Sequence, residues 1–515
     1  MANRVNLDAM IPREDFALTE EEFAIDLFPG FPISNLASDA PILKLLRKPD
    51  FQRETNHWTP NQITTFVASF LDNEVIPSLI LWKSPNLIFV IDGGHRLSAL
   101  RAWMEDDYGD GAISLQFYKG EISDEQRRLA RRARKLVETT VGRYSSLKAL
   151  IENKGTDLAT RRANRLFTRS IQVQWVQGNA SVAETSFFKI NSQGTPLDDT
   201  EEMLIECRRK PIAISARAIL RAGGGHKYWS AFSSEKQSEI ERLAREIYDL
   251  LFEPEAKTPI KTLDLPLGGT VSPVDALALL VEFMAVAGNR QGVKAVAEYD
   301  DDGDGETTIQ VLRRTLEIIR RVTGNEPASL GLHPVVYFYN ENGKYSRFLF
   351  LGMVMLITET IKNNDANFFK KFTKARARVE DFLLSYKSLI GIILQNLSRQ
   401  QRVPKTRDLF RFLIDQAASD VKIVPVNVMT HLGLKGRVFD ITTLQTSPQF
   451  SEEAKSNLFI TTALSQALKC PICGGLLDPQ KSVHYDHKVP VRSGGTGDVT
   501  NAQLVHPYCN TGIKG

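Results

Sequence analysis

The pairs Cys470-Pro-Ile-Cys473 and His506-Pro-Tyr-Cys509 constrain this chain more than any other feature. Each pair places two soft ligands with two residues between them. Each is therefore half of a metal clip, and the halves must meet in the fold. Three thiolates and one imidazole make a closed tetrahedral set of the kind that structural zinc prefers. Gly474 and Gly475 let the first turn close around an ion. His484, between the two halves, is a second candidate for the fourth ligand in place of His506. Cys207 stands alone in a helical stretch and reads as a small buried apolar residue. The start of the chain, "MANRVNLDAMIPREDF", has no apolar export signal, and this favours metal over disulfides for the clustered cysteines.

So small a clip cannot organise 515 residues. At ~100–200 residues per domain, about three domains are expected. The patterning divides the chain as a multidomain α+β protein. Residues 1–210 mix strands and helices, 211–455 are almost wholly helical, and 456–515 hold the cysteine-rich tail. In the first part, "LIFVIDGGHRLSALRAW" (87–103) reads as a strand, a glycine turn and a helix with Leu97, Leu100 and Trp103 at helical spacing. "SIQVQWVQ" (170–177) alternates as a half-buried strand does. The basic helix "RRLARRARKLVETTVGRY" (127–144) reads either as a solvated face or as a surface turned to nucleic acid. In the middle part, "PVDALALLVEFMAVAG" and "YSRFLFLGMVMLITETIKN" are apolar on most sides and belong inside a helical bundle.

Composition excludes more than it assigns. With 42% hydrophobic and 24% charged residues the chain is an ordinary soluble one. A net charge of +3 gives no global attraction to nucleic acid, so a basic surface must be local. The longest apolar run, "FLFLGMVMLI" (348–357), falls short of the ~20 residues that span a bilayer. No membrane partner and a cytoplasmic location are expected. The acidic run "DDDGDGE" (300–306) begins like a calcium loop, but Val311 stands where a bidentate Glu is required, so an exposed turn is expected.

Between the halves of the clip lies "VHYDHKVPVRSGGTGDVTNAQLV". Asp486-His487, Gly494-Gly495, Asn501 and Asn510 fall in the order and spacing of the HNH, or ββα-metal, endonucleases, which the tail resembles over roughly its last fifty residues. The resemblance implies a zinc-stabilised ββα domain that hydrolyses phosphodiester bonds in double-stranded DNA. A neutral imidazole at His487 suits a general base for the attacking water. Asp486 and Asn510 offer hard oxygen ligands to a catalytic Mg²⁺ or Mn²⁺. By the same resemblance Asn501 bonds the backbone of the loop that carries His487. The family has a basic residue three positions after the last Asn, whereas here Lys514 follows Asn510 by four. Gly512 sits inside the closing helix and costs it ~1 kcal/mol relative to Ala, so that helix is expected to be short and weak.

Three separated segments carry a second resemblance. "DFQRETNHWTPNQITTFVASFLDNEVIPSLILW" (50–82), "VIDGGHRLSALRAW" and "FFKINSQGTPLDDTEE" (187–202) resemble, in order, the signatures of the ParB/sulfiredoxin-like "DGQQR" domain of GmrSD-type and SspE-type restriction proteins. That family binds and hydrolyses nucleoside triphosphate, reads a DNA modification, or couples the two. The residues agree, because a strand, a glycine turn and a helix N-terminus form an anion site. The expected nucleotide- or phosphate-binding set is Asp92, Gly93, Gly94, His95 and Arg96, with Arg53 and Asn191 completing the pocket. Gly94 stands where the family has a glutamine that can contact nucleotide; phosphate binding at this turn is expected from ATP, GTP or another NTP, with or without turnover.

The combined reading is a metal-dependent DNA endonuclease controlled by an N-terminal NTP-binding or modification-sensing domain, acting in defence against phage or foreign modified DNA. The sequence leaves open whether the protein nicks one strand or, as a homo-oligomer, breaks both. The alternative is a non-catalytic ParB-like DNA-binding regulator with a structural zinc tail. A third reading makes the front domain the main enzyme and the tail a zinc-stabilised cap.

Overall fold

In the computed structural model the described residues are 4–514, without 15–25, 50–51, 53–54, 121, 152–154, 179–181, 184–185, 188–189, 191–198, 224–227, 270–272 and 435–448. They form two compact units, residues 1–208 with 224–228, and 209–223 with 229–515.

The first unit is built on β5 (Ile88–Asp92), whose sequence IFVID is almost wholly apolar because both of its faces are covered. Ile88 and Val90 point into one core with Leu46, Leu81, Leu97 and Ile171. Phe89 and Ile91 point into a second, with Trp82, Phe187 and Ile205. The two-residue period of a strand divides the side chains in this way. Around it lie β1 (Arg13–Glu14), β2 (Gly30–Pro32), β3 (Leu46–Pro49), β4 (Leu79–Lys83) and β6 (Ser170–Val176), in the order β1-β3-β5-β4-β6-β2. The sheet is mixed. β3 runs parallel to β5 and β6 parallel to β4, while β4 is antiparallel to β5.

Three of the described helices contribute much of the core around this sheet. α1 (Pro60–Leu71) begins with Pro60 at its first turn and a reciprocal Thr59–Gln62 capping box, and buries Ile63, Val67 and Phe70. α2 (Gly94–Glu105) follows β5 after one residue, Gly93, at φ +104°, and buries Leu97, Leu100 and Trp103. The strand–turn–helix reading of 87–103 holds. α3 (Asp124–Thr140) is the basic helix. It buries Leu129, Ala130, Ala133 and Val137, and its Arg134 pairs with Asp106 and Asp110. Arg127, Arg128, Arg131, Arg132 and Lys135 stay exposed.

The second unit is mainly helical, with α4 (Ser234–Phe252), α5 (Pro273–Ala287), α6 (Glu306–Val322), α7 (Arg347–Lys362), α8 (Ala366–Ser385) and α9 (Arg399–Ala418). α5 and α7 lie inside it, with Phe283 and Phe350 ring to ring at 5.3 Å. Gly352 lets α9 approach α7, for a Cβ there would meet Thr406 at 2.5 Å. The acidic run is the cap of α6. Asp302 accepts from the backbone N–H groups of Gly305 and Thr308 at 2.9 and 2.7 Å and from the Thr308 hydroxyl at 2.6 Å. The same unit contains the cysteine-rich tail, with β7 (His484–His487) antiparallel to β8 (Ala502–Val505). Among the described residues no helix is long and apolar enough to cross a membrane.

Candidate active site

The clip closes as its spacing requires. The sulfur atoms of Cys470, Cys473 and Cys509 and a ring nitrogen of His506 all lie within 4.8 Å of one another, in a buried cluster. Tetrahedral ligands ~2.0–2.3 Å from an ion stand somewhat under ~4 Å apart, so these donors fit zinc closely. Gly474, at φ +70°, lets its own N–H bond back to the Cys470 carbonyl at 2.8 Å. His506 Nε2 donates to the Leu476 carbonyl at 3.0 Å, which leaves Nδ1 to face Cys473 Sγ at 3.3 Å. Burial lowers the His506 pKa and keeps the ring in the neutral form that a ligand needs. Hydrogen bonds from Cys473 and Cys509 drive the Cys470 thiol well below its ordinary range. His484 is not part of this cluster.

The helical region holds the clip from outside. Glu380 on α8 accepts the Leu476 N–H at 2.6 Å, and Arg376, one turn earlier, bonds the Leu330 carbonyl and, at 2.7 Å, the Gly331 carbonyl. The two side chains pair at 2.7 Å and are only 2–3% exposed. The guanidinium lies so close to the knuckle that a Cβ on Gly475 would meet it at 2.5 Å. Neither residue carries a metal-binding signature, and sequence reasoning passed over both. The available signal was a charged i,i+4 pair on a face otherwise made of Phe368, Phe369, Phe372, Val379 and Leu383.

The hairpin displays the other residues. His487 ends β7 opposite Ala502, and Asp486 pairs with Gln503. Among the described residues the His487 imidazole has no hydrogen-bond partner. Asp486 Oδ2 accepts from Lys514 at 2.7 Å and Gln503 at 2.8 Å. Burial raises the Asp486 pKa, but the bonds from Lys514 and Gln503 outweigh it and hold the carboxyl below its ordinary value. Asn501 knits the connecting loop. Its Oδ1 accepts the Val489 N–H at 2.8 Å, and its Nδ2 donates to the carbonyls of Val489 and Thr496 at 3.1 and 2.8 Å. Only glycine fits at 495, where a Cβ would overlap the Val489 carbonyl.

The closing helix explains the displaced lysine. Residues Cys509–Ile513 form a π-helical turn, with the Lys514 N–H bonded to the Cys509 carbonyl at 3.3 Å. A π turn takes up one residue more than an α turn. Lys514 thereby reaches both Asp486 and the His487 carbonyl despite its extra position. The turn is braced rather than loose. The Tyr508 N–H donates to Ser329 at 2.9 Å, and the Thr511 hydroxyl donates to Pro327 at 2.6 Å. The Tyr508 ring packs on Phe369 and Arg321, and across Gly512, where a Cβ would meet it at 2.5 Å.

In the first unit, Gly93 and Gly94 open α2, and the helix's first N–H groups leave its end unpaired within the helix. Arg96 bonds Asp92 at 2.5 Å and the Ser78 carbonyl at 3.1 Å. His95 stacks near Trp58 with ring centroids 5.7 Å apart. Gln52 reaches over Gly94, with its Oε1 3.2 Å from where a Cβ would stand. Arg53 and Asn191 lie outside the described residues, as does most of 187–202.

Residues 33–207 match the family described as GmrSD restriction endonuclease, N-terminal domain, and residues 470–514 match HNH endonuclease. No curated protein matches the chain, and neither does any solved structure. The chain therefore joins a GmrSD-type N-terminal domain and an HNH endonuclease domain in one polypeptide, the arrangement of a GmrSD-type fusion.

Proposed function

We propose that this protein is a metal-dependent DNA endonuclease whose GmrSD domain controls cutting by binding a nucleoside triphosphate, by reading a DNA modification, or by coupling the two. The observation that carries the proposal is the joint presence of Asp486, His487, Asn501 and Asn510 around one hairpin whose base is the Cys3His clip. A DNA grip alone has no use for an imidazole that stands beside a carboxylate without a partner among the described residues.

His487 takes the proton of the attacking water. Asn501 holds the loop after His487 and so fixes the imidazole's approach. Asp486 Oδ1 and Asn510 Oδ1 are hard oxygen donors suited to Mg²⁺ or Mn²⁺. When bound there, such an ion supplies positive charge for the scissile phosphate and the leaving oxygen. The depressed Asp486 pKa keeps that carboxylate ionised at neutral pH. Zinc at the clip is structural, since four protein donors leave no open position. In the GmrSD domain, Asp92, Gly93, Gly94, His95 and Arg96 form the phosphate-facing turn, with Arg96 held ready beside Asp92.

The test is a cleavage assay that crosses plain, methylated, glucosylated and phosphorothioated double-stranded DNA with and without each NTP, in Mg²⁺ and in Mn²⁺. Cutting of at least one substrate, changed tenfold or more by NTP or modification, is expected. Arg96→Ala should abolish that change. DNA retention without cutting under every condition contradicts the nuclease reading.

A further inference from the structure

His484 belongs to neither the clip nor the assigned catalytic set, yet its ring spans the gap between the helical region and Asn510. It opens β7 and, by the two-residue alternation of a strand, shares a face with Asp486. Its Nε2 stands 2.8 Å from the backbone carbonyl of Asn325, in the segment that follows α6. A carbonyl can only accept, so Nε2 carries the proton and Nδ1 presents a lone pair. That lone pair faces Asn510 Nδ2 at 3.5 Å. The amide must therefore turn its NH₂ end to His484 and its Oδ1 the other way. At 3.5 Å this is a long bond, whose effect is to select an orientation rather than to add much stability.

The Asn325 carbonyl is itself fixed. Asn325 Oδ1 accepts the Val483 N–H at 3.0 Å. The Gly324 N–H donates to the Ser482 hydroxyl at 2.7 Å, and the Thr323 hydroxyl lies 3.1 Å from the same oxygen. Segment 323–325 thus grips the three residues up to and including His484, and it runs straight out of α6. Asn510 is meanwhile anchored on its other side by its own N–H, which donates to the His506 carbonyl at 3.1 Å.

We propose that His484 is a positioning residue for the divalent-ion site: the Asn325 carbonyl holds it as the Nε2–H tautomer, and its Nδ1 selects the Asn510 rotamer that offers Oδ1 as a metal ligand. The proposal rests on the nuclease reading of Asp486 and Asn510. A hydrogen-bonding partner behind a metal ligand typically contributes ~10–100-fold in metal affinity, and His484 supplies that partner to an amide ligand. Glutamine carries the same pairing of one donor end and one acceptor end, so His484→Gln is the conservative replacement.

Two measurements on the full-length zinc-loaded protein test it. The first is ¹⁵N NMR of the imidazoles, with His484 identified by its loss in His484→Ala. The Nε2–H tautomer is expected, and an Nδ1–H tautomer overturns the proposal. The second is Mn²⁺ binding followed by electron paramagnetic resonance, with zinc content as the check of folding. His484→Ala should weaken Mn²⁺ tenfold or more with zinc retained, His484→Gln should recover most of that loss, and added Mn²⁺ should restore cleavage by His484→Ala. If Asp486→Ala loses Mn²⁺ while His484→Ala keeps it, the positioning role is wrong and the nuclease site stands. If neither substitution changes Mn²⁺ binding, the site assignment and this proposal fall together.

Discussion

Cys509 and Asn510 are joined by a single peptide bond, and they face different metals in this account. Cys509 closes the clip with Cys470, Cys473 and His506. Asn510 looks toward His484 and the Asp486 face of the hairpin. In the proposed mechanism a structural ion fixes the backbone from which the catalytic ligand Asn510 projects, and His484 selects its rotamer. Magnitudes favour this coupling. Structural zinc is worth ~10–16 kcal/mol of folding free energy in small domains, against ~1 kcal/mol lost to a helix at Gly512. Cys509→Ser should accordingly release zinc and abolish cleavage, although its sulfur touches no substrate. Full zinc content together with full activity in that variant would disprove the coupling. The clip was legible in the sequence because its x-x spacing is local and its chemistry admits few readings. Asn325 was not legible, since what matters there is a backbone carbonyl more than 150 positions from its partner.

At the scale of elements, α8 is the support on which the nuclease rests. Its Arg376–Glu380 pair is buried, and each partner also bonds backbone of a neighbouring segment, with Glu380 at the zinc knuckle. Burial alone disfavours the Arg376 charge, but Glu380 and Tyr337 outweigh it and the group stays protonated. Removing one partner leaves a buried unpaired charge, which costs ~3–5 kcal/mol. Glu380→Ala should lower thermal stability by that order and loosen zinc, seen as faster loss to a chelator, with cleavage falling in parallel. Unchanged zinc release would show that α8 is only a neighbour. Strand–turn–helix at 87–103 and the buried α5 and α7 were readable because periodicity is a local property. The π turn was foreshadowed only as an offset, with Lys514 one position late, and its meaning needed the Asp486–Lys514 contact at 2.7 Å.

For the whole molecule, the two compact units correspond to two kinds of work. One carries the strand–glycine–helix turn of the GmrSD domain, and the other carries the helices together with the HNH tail. A nuclease must be restrained until its target is present, and a ligand-binding domain in the same chain can provide the restraint as a coupling free energy between sites. A coupling of ~1–3 kcal/mol corresponds to ~5–150-fold in affinity, enough for the NTP- or modification-dependent change expected in the crossed assay. Defence against foreign DNA is the role such a pairing suits. None of it matters unless the tail cuts, and in the proposed mechanism cutting turns on His487. The most direct measurement is cleavage of supercoiled plasmid, under the best condition found, by the native protein and by His487→Ala, both with full zinc content. Nicked or linear product is expected from the native protein, and a loss of at least ~100-fold in the variant, the lower range for a general base. Undiminished cutting by His487→Ala would contradict the proposed mechanism.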